Sequence, residues 1–262
     1  MAANQVPVWW DEPADAYTNM AADELLAAEA DLRGCLVVRF YGWTPAAVSL
    51  GAFQEIAAAR GRSEVAGLPL VRRPSGGGAI IHGTDLTYAA ALPRTHAWGA
   101  AAQPLYDAFH AALVAELRDR GVAARQHRRS GPDDRDATFL CFDRRAEGDV
   151  VVAPAGSSPA AADPKILGSA QRRLAGVVLQ HGSLLLRANP AAGPAGRHPG
   201  ILDLHPAAVA DGREFTAAWL ERVARECGAT LAWQPGGFRP GREPEIAAAA
   251  ARFRTTQWLE RR

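Results

Sequence analysis

Arg72-Arg73-Pro74-Ser75-Gly76-Gly77-Gly78-Ala79-Ile80-Ile81-His82 places three consecutive glycines between a basic pair and an apolar run. Without Cβ atoms, Gly76, Gly77 and Gly78 let the backbone close on a ligand and turn N–H groups toward an anionic or carbonyl oxygen. An ordinary flexible turn is the other reading of such a run. The spacing fits neither Gly-x-Gly-x-x-Gly nor the phosphate-loop pattern ending in Gly-Lys-Ser/Thr, so a Rossmann fold is not expected. Outward from this segment the chain reads as sheet. Residues 36–41 and 47–50 are strand-like on either side of the turn Gly42-Trp43-Thr44-Pro45, and 70–72, 79–82 and 86–90 continue the pattern.

Helices flank these strands. Residues 19–29 are strong helix formers with Asn19 as the expected cap, and a long amphipathic helix is expected over 103–120, stopped by Gly121. Residues 122–126 then read as a strand and the polar stretch 128–136 as an exposed loop. Segments 149–152 and 165–167 look like paired strands joined by 153–163, an Ala/Pro/Ser/Gly segment expected to be mobile. Residues 177–179 and 183–186 supply a further strand or hairpin, 189–200 a Pro/Gly-rich connection, and helices are expected near 214–226 and 245–261. Interspersed helices and neighbouring strands predict an α+β fold.

The 262 residues, 48% hydrophobic and 22% charged, suffice for one globular domain with a sizeable core. A net charge of +1 argues against a nucleic-acid surface. No stretch approaches 18 uninterrupted apolar residues and the first residues read as no signal peptide, so neither a membrane span nor secretion is expected, and a cytoplasmic location is. Cys35, Cys141 and Cys227 are odd in number and lack metal-ligand spacing, which favours neither disulfides nor zinc; no metal is expected. Of 29 basic residues one is a lysine, Lys165, in the run Lys165-Ile166-Leu167-Gly168-Ser169-Ala170-Gln171. Lysine, unlike arginine, can lose its proton where burial or a neighbouring charge lowers its pKa. Coding bias toward arginine would also leave a stray lysine, so position has to decide.

With these residues in view the chain resembles the biotin/lipoate protein ligase superfamily and, within it, the octanoyltransferases of the LipM type. The resemblance rests on five ordered segments: 19–24; 39–54, similar to the family's first hairpin; 72–88, similar to its acyl-pocket motif; 165–173; and 179–186. It implies a mixed, mainly antiparallel sheet flanked by helices. One catalytic domain over 1–262 is expected, with a core of about 17–190 and a C-terminal helical segment of about 212–262. Cys141, in Phe139-Leu140-Cys141-Phe142-Asp143, stands where LipM-type proteins carry their nucleophile, and the resemblance makes Lys165 its partner. It implies substrate contacts from Arg73, Ser75, Gly76, Gly77, Gly78, His82, Gly168, Ser169, Ala170, His181 and Gly182, with His82 and His181 shaping the pocket and bonding backbone. Cys35 and Cys227 are assigned to packing. The stretch between Cys141 and Lys165 is longer than in the family, which bears on how the two meet. Gly83 stands where the family often has an acidic residue that a ligase would use for nucleotide and metal.

The implied activity is transfer of octanoyl from acyl carrier protein to a lysine of lipoyl domains, those of the glycine cleavage H protein and of 2-oxoacid dehydrogenase E2 subunits, through a cysteine thioester. No cofactor is expected, and the enzyme is expected to act as a monomer. An ammonium near a thiol favours the thiolate. Once the cysteine is acylated, a buried lysine that has lost its partner becomes easier to deprotonate and can take the acceptor's proton. The alternatives are an ATP- and Mg-dependent lipoate–protein ligase, in which Lys165 would hold carboxylate and phosphate, an amidotransferase between lipoyl proteins, and a non-catalytic acyl- or protein-binding module. A Cys–His pair through His82 or His181 is the competing catalytic arrangement.

Overall fold

The computed structural model describes residues 4–128, 138–160 and 162–261. Strand β1 (Gln5–Trp10) leads into helix α1 (Ala16–Arg33), followed by β2 (Val37–Tyr41), β3 (Ala47–Leu50), β4 (Leu70–Arg72), β5 (Ile80–His82) and β6 (Asp85–Pro93). Next come α2 (Gln103–Asp119), β7 (Ala124–Gln126), β8 (Val150–Val152), β9 (Lys165–Arg173) and β10 (Val177–Leu185). The chain continues through α3 (Ile201–Leu204), α4 (Gly212–Glu226), β11 (Thr230–Trp233), α5 (Glu243–Phe253) and α6 (Thr256–Glu260).

Eight strands form one sheet in the order β11-β1-β2-β6-β10-β9-β8-β7. β1 runs parallel to both β11 and β2, and the remaining pairs are antiparallel. A smaller sheet, β4-β3-β5, stands apart from it. This is the α+β architecture that the pattern predicts, with the mixed, mainly antiparallel sheet that the resemblance implies.

The period-two alternation of strands divides the core. From β2, Val38 and Phe40 pack with Tyr88, Phe109, Leu113 and Trp219 under α2 and α4. Val37 and Tyr41 face the other way, onto Met20 and Leu26 of α1 and Ile246 and Phe253 of α5. Trp219 is fully buried and still donates its indole N–H to the Phe109 carbonyl at 2.9 Å, so its polar atom is satisfied inside the core.

Several local expectations change. The cap of α1 is Asp15, whose carboxylate accepts the N–H groups of Tyr17 and Thr18. Asn19 lies one turn inside, buried, and its amide donates to the Ala14 and Gly42 carbonyls. β2 and β3 do not form a hairpin. Both edges of β2 are taken, by β1 and by β6, so the chain leaves through Trp43, which stacks on His82 at 3.8 Å, and β3 joins the second sheet. The sequence reading assigns no element to residues 5–10; they form β1, which lies between β11 and β2 although Pro7 has no N–H to donate. Residues 177–185 are one strand, and a strand, β11, interrupts the C-terminal helices, the last of which breaks into α5 and α6. The polar loop expected over 128–136 falls, Arg128 apart, outside the described residues. Among the described residues no helix is long and apolar enough to cross a membrane.

Candidate active site

The glycine-rich loop between β4 and β5 works as a ledge for the segment that carries Cys141. Ala79 donates its N–H to the Phe139 carbonyl at 2.9 Å and accepts that of Cys141 at 2.8 Å, which docks the cysteine beside the loop before a single 3₁₀ turn, Cys141–Asp143. Gly78 permits this approach. A Cβ there would lie 2.9 Å from the Cys141 backbone nitrogen and 3.0 Å from its Cα.

Lys165, the first residue of β9, is 4% exposed and reaches the same point from the other side. Its Nζ lies 3.4 Å from Cys141 Sγ, 3.2 Å from the Cys141 carbonyl oxygen and 5.2 Å from the Phe142 ring centroid. The long intervening stretch does not separate the pair. β8 and β9 pair across a bulge at Val150/Val151, and Asp163, two residues before Lys165, is tied to Arg125 of β7.

A third group, absent from the sequence-based list, completes this cluster. Asp149, just before β8, holds Lys165 Nζ at 2.8 Å with both side chains buried. Its carboxylate also accepts the Ala146 N–H at 2.6 Å and the Tyr106 hydroxyl at 3.2 Å. Burial alone would push the Lys165 ammonium down, but the charges of Asp149 and Cys141 beside it outweigh that and leave it above the usual lysine value. The expectation that acylating Cys141 leaves Lys165 without a partner therefore fails: Asp149 remains. No sequence signal marks an aspartate before a β-branched run as a lysine's counter-ion.

Gly168 is the reason the lysine can fold back over its own strand. A Cβ at Gly168 would sit 2.5 Å from Lys165 Cε and 2.6 Å from Nζ. Beyond it, Ser169 Oγ bonds the Tyr88 hydroxyl at 2.8 Å and His110 Nε2 at 2.7 Å, while His110 Nδ1 donates to the Gly148 carbonyl at 2.8 Å. Burial holds the His110 imidazole down to about 4, so it is neutral, with Nε2 as acceptor.

A pocket opens onto Cys141 and Lys165. Of the expected contacts, Arg73, Gly77, His82, Gly168, Ser169, Ala170, His181 and Gly182 line it, with an apolar wall of Met20, Tyr41, Trp43 and Ile80. Ser75, Gly76 and Gly78 are not among its lining residues. Arg73 gives its donors to protein rather than to the cavity: the Ser49 carbonyl and hydroxyl at 2.8 and 3.0 Å, and the Gly76 and Gly78 carbonyls at 2.7 Å each. Burial brings its guanidinium down to about 10. Arg73 thus shapes the glycine loop from within.

Neither histidine bonds backbone through its ring. His82 sits between Ser49 Oγ and Asp85 Oδ2, 2.8 Å from each, and His181 between Ser75 Oγ at 2.9 Å and Asp23 Oδ2 at 3.0 Å. Both imidazoles are committed to serine–carboxylate pairs and the cysteine's charged neighbour is Lys165, which argues against a Cys–His dyad. Cys35 and Cys227 lie outside the pocket, packed against the two main cores.

Comparisons with known proteins give the family and the fold. Residues 15–194 match the lipoyl protein ligase A/B catalytic domain. The octanoyltransferase LipM of Moorella thermoacetica is 31% identical over 95% of this chain and 95% of its own length. Among solved structures, a lipoate-protein ligase A bound with ATP superposes with a TM-score of 0.66 at 18% identity, covering 98% of each chain. A bipartite lipoate protein ligase of Thermoplasma acidophilum gives 0.64 at 18%, over 98% of this chain and 96% of its own. At that identity the two structures speak for the fold.

Proposed function

We propose, from the premise that the chain belongs to the lipoyl protein ligase A/B catalytic-domain family as an acyltransferase of the LipM type, that it carries octanoyl from acyl carrier protein to a lipoyl-domain lysine through a thioester on Cys141. The observation that carries this reading is the 3.4 Å approach of Lys165 Nζ to Cys141 Sγ at the pocket. In the first step the Cys141 sulfur attacks the carbonyl carbon of the donor thioester. A new S–C bond forms, the donor's C–S bond breaks, and the carrier leaves with the electron pair as a thiolate. The Lys165 ammonium is the counter-charge for the attacking sulfur. In the second step the acceptor amine attacks the Cys141 thioester, a C–N bond replaces the C–S bond, and the amine proton passes to the enzyme.

The ATP-dependent ligase alternative requires Lys165 to hold anionic carboxylate or phosphate. Asp149 already lies 2.8 Å from its Nζ, so a multiply charged phosphate would meet a buried carboxylate with one ammonium between them, a worse charge balance than the single sulfur charge faces. This favours the transferase without nucleotide or magnesium. Pairing of β11 with β1 and packing of α5 against α1 support reading the whole chain as one catalytic domain.

The test is intact-mass measurement after mixing the protein with octanoyl-acyl carrier protein and no ATP. One octanoyl group should appear on Cys141, and Cys141→Ser should abolish transfer to a lipoyl domain. Full activity of Cys141→Ser that disappears on removing ATP would establish the ligase instead.

A further inference from the structure

Resting on the thioester reading above, we infer that Asp149 is a positioning residue that keeps Lys165 an ammonium after Cys141 has been acylated, so that Lys165 enters the transfer step as an acid. Asp149 Oδ2 is 2.8 Å from Nζ, closer than either Cys141 atom, and its side chain is 3% exposed. The carboxylate is itself held by the Ala146 N–H and the Tyr106 hydroxyl, and Tyr106 is fixed by stacking on His110 at 3.8 Å. A carboxylate so restrained does not swing away when the sulfur loses its charge.

Other titratable groups face this pair. Tyr106 and His110 approach from α2, His127 follows β7, and His198 comes from the connection after β10. Burial pushes all three imidazoles down and the Tyr106 hydroxyl up, so each is neutral near pH 7 and none replaces Asp149 as the lysine's counter-ion. The acceptor nitrogen bonds to the carbonyl carbon and the C–S bond breaks. Lys165 gives one proton to the departing Cys141 sulfur and takes one from the acceptor nitrogen. Lys165 ends as it began, an ammonium beside Asp149, and Cys141 ends as a thiol. A lysine already neutral in the acyl-enzyme would have to take the acceptor's proton before it had one to give to the leaving sulfur, whereas the ammonium can protonate the sulfur as the C–S bond breaks.

The chain's single lysine allows a direct test without substrate. Protein grown with lysine labelled at Cε shows one side-chain signal from residue 165, whose shift reports its charge. In Cys141→Ala, which lacks the thiolate as the acyl-enzyme does, that signal should remain in its ammonium position through pH 9. In Cys141→Ala with Asp149→Asn it should move to the amine position at least about one pH unit lower, a tenfold change in the protonation ratio. In the chain with Cys141 intact, the alkaline limb of single-turnover transfer to a lipoyl domain should shift down in Asp149→Asn and return toward wild type in Asp149→Glu. A neutral lysine at pH 8 in Cys141→Ala, with Asp149 present, would overturn the inference whatever the folding of the Asp149 variants. Absence of any acyl group on Cys141 would overturn the thioester reading instead, and it leaves the lysine titration unaffected.

Discussion

Replacing Gly168 by alanine tests the geometry of the site with one methyl group. The added Cβ would lie 2.5 Å from Lys165 Cε and 2.6 Å from Nζ, with Asp149 Oδ1 at 3.4 Å. Ordinary carbon contacts are about 3.5–4.0 Å, so the end of the lysine has to retreat by about 1 Å. A flexible side chain can do so at modest cost in stability, about 1–3 kcal/mol for overpacking. The retreat, however, takes place at the atom that faces the sulfur. A displacement of that size in a reacting constellation lowers rates by about 100-fold. Acylation of Cys141 and the decay of its thioester, followed separately by rapid quench and intact mass, should both slow by about that factor. A melting curve confirms that the variant is folded. If folded Gly168→Ala acylates and transfers at the wild-type rate, the lysine's position is not what the chemistry depends on, and the assignment of Lys165 is wrong.

Further outcomes are expected elsewhere in the site. Lys165→Arg keeps a positive charge, so acylation should persist in part while transfer to the acceptor falls by roughly 100- to 10,000-fold in single-turnover assays; wild-type transfer would make Lys165 a fixed charge only. Gly78→Ala sets a Cβ 2.9 Å from the Cys141 backbone nitrogen and 3.1 Å from the Phe139 carbonyl oxygen, and backbone cannot yield as a side chain does. Denaturant melts should show a loss of about 1–3 kcal/mol together with slower acylation, and an unchanged midpoint would contradict the docking of Cys141 on the glycine loop. His110, held at about 4 against 6.5 when free, makes stability depend on acid. Below pH 6.5 the unfolded chain takes up a proton that the folded chain refuses, so stability is full above 6.5 and falls by up to about 3 kcal/mol on the way to pH 4. His110→Gln should flatten that slope in melts across the same window.

Much of the protein is written in residue order. The β-branched and aromatic run through residues 36–41, the glycine run before Ile80 and Ile81, and the helix over 103–119 reflect local rules of backbone freedom and side-chain preference, which a sequence displays directly. The resemblance puts forward Cys141 and the one lysine as a candidate pair, and the fold brings their side chains within 3.4 Å. Other features depend on partners far away in the chain. β1 is a strand despite Pro7 because β2 and β11 lie on either side of it, and β3 leaves β2 because both edges of β2 are occupied. The charge of Lys165 is of the same kind. Asp149 lies sixteen residues earlier, across a loop, and only the pairing of β8 with β9 places its carboxylate 2.8 Å from the ammonium. A pKa follows from burial and from charges within a few ångströms, and those distances exist only in the folded chain.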